Sequence, residues 1–271
     1  METRKIDGSV YRGMVIAGAA SLRRHVTEIN DLNVFPIPDG DTGDNMLLTV
    51  QGGANAPDGA DVSAVSRDVA DRMLLSARGN SGVILSQFFD GIAAGLEGVE
   101  CADPARFAEA LETGVKHAYG AVVQPAEGTI LTVAREASKA ARDSGAETAE
   151  DLLTAFLSEA RRSLARTPDL LPVLKEAGVV DSGGAGLIRI AEGMYAALNG
   201  ELPETDLAPV AQANAPEAPD FDRFTEDSVL EFGYCTELLL RLMRAKMMLF
   251  SLQKQFLVSM PTILQIDLMT T

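Results

Sequence analysis

Three aspartates lie close together in residues 38–45, which read Pro-Asp-Gly-Asp-Thr-Gly-Asp-Asn. One glycine separates Asp39 from Asp41, and Asp44 follows three residues later. Carboxylates in one small site repel each other, so either one takes up a proton or a cation lies between them. Oxygen ligands on a turn suit Mg²⁺, which completes its coordination with substrate phosphates. The alternative is a solvated acidic turn, because Asp-Gly pairs are common in loops. The neighbours that suit phosphate oxygens are Thr42, Gly43 and Asn45.

Three further turns, each directly before a predicted helix, carry groups that suit an anion. A helix start leaves backbone N–H groups unpaired, and these can bind phosphate. The turns contain Gly79, Asn80, Ser81 and Gly82; Glu127, Gly128 and Thr129; and Asp181, Ser182 and Gly183. Taken alone, each turn is equally compatible with an ordinary helix cap or tight turn, and Thr129 is either a cap or a phosphate contact. No G-x-x-x-x-G-K-[ST] occurs and the Rossmann spacing is absent, so both of those nucleotide-binding motifs are excluded.

The composition bounds the kind of protein that carries these turns. The chain has 271 residues, of which 46% are hydrophobic and 23% charged, as in ordinary globular proteins. The formal net charge of −16 argues against nucleic-acid binding, because phosphate backbones would be repelled. The two cysteines are far apart and no stretch of transmembrane length lacks charge. We therefore expect a reduced, cytoplasmic protein without zinc, a disulfide or a transmembrane segment.

Helices are the elements that must position the four turns. Apolar residues recur with helical period, and no run alternates with the period of a strand. The eight apolar faces lie within residues 15–29, 46–50, 62–73, 85–96, 107–122, 130–141, 153–164 and 187–194. Asp103-Pro104 is a helix-start signal, and Thr148 with Asp151 resembles a capping box. Residues 1–200 are therefore predicted to form an all-α bundle or barrel.

The remaining residues change in character after position 200. Residues 201–228 are acidic and rich in proline, and helical periodicity stops, which predicts an extended linker. Residues 229–271 contain a leucine- and methionine-rich stretch that is too short to bury a core alone. We expect these residues to be an incomplete piece of a second domain, with a basic amphipathic helix for a membrane surface or partner as the alternative.

The order of turns and helices favours one shared site. In an up-and-down helical array, every second connection lies at the same end. The four turns precede the second, fourth, sixth and eighth predicted helices, so they should converge on one rim. This convergence predicts a metal–polyphosphate site at the mouth of a helical barrel.

Four ordered segments resemble the nucleotide-binding domain of the bacterial fatty acid kinase catalytic subunit, which is related to the ATP-binding subunit of dihydroxyacetone kinase. The segments are residues 32–43 (LNVFPIPDGDTG), 77–87 (ARGNSGVILSQ), 127–133 (EGTILTV) and 181–186 (DSGGAG). The resemblance covers roughly residues 5–200. It implies an all-α, eight-helix antiparallel barrel of the DhaL type, with ATP and two Mg²⁺ ions at one end. Residues 234–237 resemble the opening of that family's middle domain.

The resemblance also implies roles for individual residues. Asp39 and Asp41 match the metal-binding aspartates and would serve catalysis through Mg²⁺, with Asp44 as a weaker candidate ligand. The positions around the phosphates and base are Thr42, Gly43, Asn45, Met46, Gly79, Asn80, Ser81 and Gly82. The Ser182-Gly183 turn would close over the nucleotide. A separate fatty-acid-binding protein presents the acyl chain in such kinases, and the product is an acyl phosphate.

Three differences from the family pattern refine this interpretation. Asp44 stands where threonine is usual, and it would either bind metal or weaken nucleotide binding. Asn33 and Thr42 differ from the aspartate and histidine of the dihydroxyacetone kinase branch, and both differences favour the fatty acid branch. The match fades beyond about residue 242, so we expect the rest of the kinase to be missing, which leaves the activity of this chain by itself in question.

The sequence therefore predicts an ATP- and Mg²⁺-dependent kinase that acts on a carrier-bound fatty acid. A carboxylate acceptor needs no general base, since it is ionised at neutral pH. Two alternatives stay open: the ATP-binding subunit of a dihydroxyacetone or polyol kinase, and a non-catalytic module that binds nucleotide or lipid. The sequence also leaves a homo-oligomer open.

Overall fold

The structure is a computed structural model that describes residues 3–201 and the backbone of residues 239–241 and 265–267. Residues 3–201 are built from ten helices and contain no strand beyond a single bridge between Ile6 and Ala102. The helices are α1 (Gly8–Arg23), α2 (Val26–Asp31), α3 (Thr42–Ala54), α4 (Val62–Ser76), α5 (Gly79–Gly95), α6 (Pro104–Gly120), α7 (Ile130–Asp143), α8 (Ala149–Leu170), α9 (Pro172–Ala177) and α10 (Ser182–Leu198). The prediction of an all-α fold for this region is confirmed.

Eight of the ten helices, each of 13 residues or more, correspond to the eight predicted apolar faces. The two additional helices, α2 and α9, have six residues each. The prediction of one helix over the first face, residues 15–29, was wrong. The helix is interrupted at Arg24 and His25, which separate α1 from α2. His25 holds φ −119° and ψ 8°, outside the helical range, so the apolar period continues across a corner.

Side-chain caps define where most of the long helices begin. Asp7, Asp61 and Asp103 each accept a backbone N–H from their own first turn, which replaces a carbonyl that the helix cannot supply. The predicted cap at Asp103-Pro104 is therefore present. Thr148 caps α8 by accepting the Asp151 N–H, and its hydroxyl donates to the Asp151 carboxylate at 2.8 Å. The predicted capping box is thus replaced by a direct bond between the two side chains.

The long helices pack in a closed order around a buried apolar core. α1 packs on α10, α10 on α8, α8 on α7, α7 on α6, α6 on α5, α5 on α4, and α4 on α1. α3 packs on α1, α4, α5 and α10. The largest side chains that are fully buried are Tyr11, Phe89, Phe107, Ile6, Met14, Leu22, Ile29, Met46, Met73, Leu85, Ile92 and Leu96. This neighbour order brings the first and last long helices together and so closes the array.

The chain divides into two compact units, residues 1–203 and residues 204–271. In the second unit, β1 (Leu239–Arg241) pairs in parallel with β2 (Gln265–Asp267). Apart from Glu201, the predicted linker (residues 201–228) lies outside the described residues. The same holds for the predicted fragment (residues 229–271) apart from β1 and β2. Within the described part of the chain, no helix is both long and apolar enough to cross a membrane.

Candidate functional site

The starts of α3, α5, α7 and α10 meet at one end of the helical array. The Ser182 hydroxyl at the start of α10 donates to the Thr42 hydroxyl at the start of α3 across 3.2 Å. Asn45 of α3 lies against Gly79 of α5, where a Cβ would come within 2.6 Å of the Asn45 amide nitrogen. Gly183 of α10 lies against Ile130, the first residue of α7, where an added Cβ would come within 3.2 Å of the Ile130 Cβ. The four predicted turns are therefore neighbours in space.

Asp39 and Asp41 lie close to each other in the loop that leads into α3. Gly40 between them has φ 68°, a left-handed conformation that glycine adopts without strain. The Asn33 amide donates to the Asp39 carboxylate at 2.6 Å and orients it. The pKa of Asp41 is raised, mainly because burial removes solvent and further because the carboxylates of Asp39 and Asp44 are near. A hydrogen bond from Asn45 lowers the pKa in part. A positive charge between the two acids would relieve this repulsion.

The third aspartate of the motif is held from a different direction. The Asn30 amide nitrogen donates to the Asp44 carboxylate at 2.7 Å, and the Asn30 amide oxygen accepts the Gly43 N–H at 2.7 Å. Asp44 is exposed, but one of its oxygens is thus bound to α2. Within residues 3–201, no group of three or more His, Cys, Asp or Glu side chains is arranged to hold a metal ion. The acidic part of the site is therefore a pair, with Asp44 beside it.

Two helix starts leave N–H groups for a ligand. The N-cap residues of α3 and α5, Asp41 and Arg78, do not cap their helices with their side chains. The Thr42 and Asp44 amides of α3 and the Asn80 and Ser81 amides of α5 lie in first turns, where a helix offers no carbonyl to accept them. Gly43 differs, because its N–H is already bound by Asn30. These amides are the donors available for an anion at this end.

Several of the predicted ligand contacts lie in the interior. Met46 is fully buried and packs against α10, where a Cβ on Gly186 would come within 2.6 Å of its sulfur. Thr129 is buried and caps α7, with its hydroxyl also donating to the Ala126 carbonyl at 2.8 Å. The residues at the helix contacts, all buried, are Thr42, Gly43, Gly82, Ser182 and Gly183. Among the predicted residues, Asp39, Asp41, Asp44 and Asn80 are exposed, and Asn45, Gly79 and Ser81 are half-buried.

Asp181 also lies at this end, although the sequence pattern assigned it no specific role. It is 5% exposed, and its carboxylate accepts N–H groups from Gly184 and Ile130. Its own N–H donates to the Thr167 hydroxyl of α8. Burial raises its pKa to about 6, against the lowering effect of the two amide donors. An aspartate directly before a Ser-Gly-Gly helix start is an N-cap signal, and that signal was available in the sequence.

A polar network supports the turn before α7. Glu127 accepts hydrogen bonds from Tyr119 at 3.0 Å, Arg135 at 2.7 Å and Thr132 at 2.6 Å. The pKa of Glu127 is lowered because these donors outweigh its partial burial. Gly128 has φ 81°, and its N–H donates to the Thr132 hydroxyl. The Glu127-Gly128-Thr129 motif therefore builds a turn of fixed shape, and this function accounts for its residues without a ligand.

Comparisons with known proteins agree with this geometry. Residues 36–196 match the family model described as the DAK2 domain. Protein YloV of Bacillus subtilis is 45% identical over 257 residues, which cover 91% of this chain and 46% of that protein. An uncharacterized protein of Staphylococcus saprophyticus, SSP1546, is 43% identical over 88% of this chain and 44% of its own length. This chain therefore spans less than half the length of these relatives.

A solved structure shares the helical fold. It is the dihydroxyacetone kinase from C. freundii in complex with AMP-PNP and Mg²⁺, with a TM-score of 0.55 and 22% sequence identity. The similarity covers 72% of this chain and 35% of that one. The native form of the same enzyme gives a TM-score of 0.52.

Proposed function

This chain belongs to the DAK2 domain family, and we propose that it is the ATP- and Mg²⁺-binding part of a kinase that converts a carrier-bound fatty acid to an acyl phosphate. The observation that supports this proposal most directly is the meeting of four helix starts beside the Asp39–Asp41 pair. Helix starts supply positive potential and N–H donors, which an acidic protein needs in order to bind a polyphosphate. The AMP-PNP and Mg²⁺ bound by the C. freundii enzyme, which has the same fold, are consistent with this ligand class.

The carboxylate pair fits a hard divalent cation. Its donors are oxygens, and the pKa of Asp41 is raised first by loss of solvent and then by the neighbouring carboxylates. Asp39 and Asp41 would hold Mg²⁺, and Asn33 would keep Asp39 turned toward it. When bound, the ion supplies positive charge that neutralises phosphate oxygens. The resemblance to fatty acid kinases implies two ions, and with one pair of neighbouring carboxylates the phosphates would contribute much of the coordination.

The phosphates would be bound by the open starts of α3 and α5. The amides of Thr42, Asn80 and Ser81, together with the exposed Asn80 side chain, offer donors toward phosphate oxygens. Catalysis of phosphoryl transfer depends mainly on positioning and charge stabilisation, which fixed donors of this kind provide. Ser182 and Gly183 would stabilise the site by packing the start of α10 against the starts of α3 and α7.

A fatty acid acceptor suits the side chains at this end. Its carboxylate has a reference pKa of about 4 to 5 and is ionised at neutral pH, so no general base is required. The two histidines of the chain have other partners, since His25 contacts the Ser21 carbonyl and His117 contacts Asp90. A dihydroxyacetone or polyol acceptor would instead depend on a histidine from a partner subunit. A carboxylate acceptor therefore needs no residue beyond those that would bind the metal and the phosphates.

Isothermal titration calorimetry with ATP, at fixed Mg²⁺, tests the nucleotide site. We expect Asp39→Asn and Asp41→Asn each to weaken ATP binding by about tenfold or more, because each removes a metal-binding charge (~1.4 kcal/mol or more). Asp68→Asn is the matched control, since it removes the same charge from an exposed position on α4. Equal affinities for the wild type and both site variants would end the metal-site proposal.

Trapping with hydroxylamine tests the acceptor. We expect acyl hydroxamate to form when the kinase, including the regions found in its longer relatives, is mixed with ATP, Mg²⁺ and a fatty-acid-binding carrier loaded with fatty acid. Hydroxylamine converts an acyl phosphate to this product but does not convert a sugar phosphate. Turnover of dihydroxyacetone without any acyl hydroxamate would favour the polyol kinase. ATP binding without turnover of either acceptor would favour the binding module.

A further inference from the structure

The side chain of Asn30 joins α2 to the first turn of α3 with both ends of one amide. Its oxygen accepts the Gly43 N–H at 2.7 Å, and its nitrogen donates to the Asp44 carboxylate at 2.7 Å. The amide can take only this orientation, because an N–H donor and a carboxylate acceptor face its two ends. Asn30 therefore determines the position of two consecutive residues of the Asp-rich motif.

The packing around Gly43 shows how closely α2 and α3 approach. A Cβ at Gly43 would lie 2.6 Å from the Val26 carbonyl oxygen and 2.8 Å from the Asn30 amide oxygen. No side chain fits there, so α3 begins directly against the backbone of α2. α2 is itself anchored, since Ile29 is buried and Glu28 forms an ion pair with Arg189 of α10 at 2.9 Å. The first turn of α3 is thus held against a fixed element.

Two asparagines of the same segment hold two of the three aspartates. Asn33 holds Asp39 at 2.6 Å, and Asn30 holds Asp44 at 2.7 Å. The Asn33 N–H donates to the Asn30 carbonyl at 3.0 Å, so both side chains project from one turn of backbone. Asp41 stands between these two acids in the sequence, as the N-cap residue of α3. Asp39 and Asp44 therefore have separate partners on this segment.

We propose that Asn30 is a positioning residue of the cation site, which fixes the first turn of α3 and keeps Asp44 away from the Asp39–Asp41 pair. The inference rests on the proposed function, because the cation and nucleotide are those assigned above. In this arrangement Asp39 and Asp41 bind the divalent cation, while Asp44 contributes its hydrogen bond to the structure of the turn. The family resemblance already made Asp44 the weaker candidate ligand, and its contact with Asn30 of α2 supplies a physical reason for this division of roles.

The test is the Mg²⁺ concentration that gives half-maximal binding of a fluorescent ATP analogue. Residues that orient metal ligands typically change metal affinity by 10- to 100-fold when they are removed, so we expect Asn30→Ala to raise this concentration about tenfold. Asp44→Ala should raise it in the same direction because it breaks the same contact. The double variant should need at most about twice the Mg²⁺ concentration of the more affected single variant, because both changes remove the same contact and their effects are not additive.

Two further variants separate positioning from direct metal binding and from a general change in α3. Asp44→Asn keeps an oxygen that can accept the Asn30 N–H, so its shift should be clearly smaller than that of Asp39→Asn. Asn55→Ala, at the far end of α3, removes a comparable bond from Asn55 to the Gln51 carbonyl and should leave the Mg²⁺ dependence unchanged. Thermal melting of each variant reports folding, and the exposed Asp44→Ala tests the same contact if Asn30→Ala does not fold.

Two results would overturn the inference while leaving the proposed function intact. One is an Asn30→Ala protein that folds and shows the wild-type Mg²⁺ dependence. The other is an Asp44→Asn shift as large as that of Asp39→Asn, which would make Asp44 a direct ligand. A wild-type protein that binds no ATP analogue at any Mg²⁺ concentration would instead overturn the proposed function, and the inference with it.

Discussion

At the scale of the residue, two aspartates of the site owe their raised pKa values to different surroundings. Asp41 loses some solvent and has two carboxylates near it, so its ionised form is repelled by neighbours of the same charge. Asp181 is buried without a charged partner, and two backbone N–H groups compensate only part of the loss of water. The first situation suits a residue that binds a cation. The second suits a residue that links helices.

The surroundings of Asp181 predict a pH-dependent stability. Its pKa rises from its ordinary value of 3.8 to about 6 in the folded state, so the native protein binds this proton more tightly than the unfolded chain. The free energy of unfolding should therefore fall as pH rises from about 4 to about 6, by an amount on the order of 3 kcal/mol, and stay level above that. Asp181→Asn keeps an acceptor for the cap and should remove this contribution. Urea unfolding between pH 4 and 7.5 measures it.

The control for this measurement is Asp103→Asn, which changes an exposed N-cap of the same residue type on α6. The profile of Asp103→Asn shows how the loss of an exposed N-cap charge changes stability over the same pH range. A wild type and an Asp181→Asn variant with parallel stability profiles would show that the buried carboxyl does not titrate between pH 4 and 6.

Sequence reasoning at this scale found the chemistry but not all of the contacts. It predicted a cation at Asp39 and Asp41, with a solvated acidic turn as the alternative, and this assignment stays a prediction. It placed Met46 near the ligand, whereas the structure buries Met46 against Gly186 of α10. Which face of a helix start points inward depends on a neighbour that comes from 140 residues later in the chain. A local motif carries no information about that neighbour.

At the scale of the element, glycine and alanine allow the helices that form the array to approach closely. α1 meets α10 where Gly193 lies against the backbone of Ala17 and Gly18. α5 meets α6 where Gly91 lies against Gly114, and a Cβ at Gly91 would be 2.5 Å from the Thr113 carbonyl oxygen. These small residues bring helix backbones together along their length. Since α10 carries Asp181 and Ser182, the fit of α1 on α10 also determines the site.

A pair of glycine substitutions tests this packing. Gly193→Ala should destabilise the protein by about 1–3 kcal/mol, because its methyl group would overlap the Ala17 carbonyl and come within 2.7 Å of the Gly18 Cα. Gly13→Ala, on α1, should stabilise it by about 0.5–1 kcal/mol, because nothing lies within 4 Å of the added Cβ and alanine favours a helix. Chemical denaturation measures both, and equal changes in the two variants would contradict the packing.

Helical periodicity predicted the long elements well and the short ones poorly. Each of the eight long helices has several turns of apolar residues, which is enough for the period to be visible. α2 and α9 have six residues each, less than two full turns, so the period could not reveal them. α2 nevertheless carries Asn30, and the segment after it carries Asn33. The element that the pattern missed is therefore the one that holds Asp44, and the segment directly after it holds Asp39.

At the scale of the whole molecule, the net charge disfavours the binding of a polyphosphate, whereas the arrangement of the helices favours it. A net charge of −16 repels a polyphosphate, and four of the acids, Asp39, Asp41, Asp44 and Asp181, lie at the site itself. The fold offsets this by directing the starts of α3, α5, α7 and α10 to the same end, where their dipoles and amides are positive. Two of these starts are occupied by their own caps, Thr129 and Asp181. The starts of α3 and α5 remain for an anion.

The amino-acid sequence was enough to predict that this chain is helical up to about residue 200, where most of its helices begin, and that its four polar turns alternate along the chain. These properties depend on residues close together in sequence: the apolar period, the caps and the turn glycines. The packing of the helices settled which motif residues are buried and which side chains of the four turns touch. Each of those outcomes depends on contacts between helices distant in sequence, and a one-dimensional pattern does not specify which faces meet.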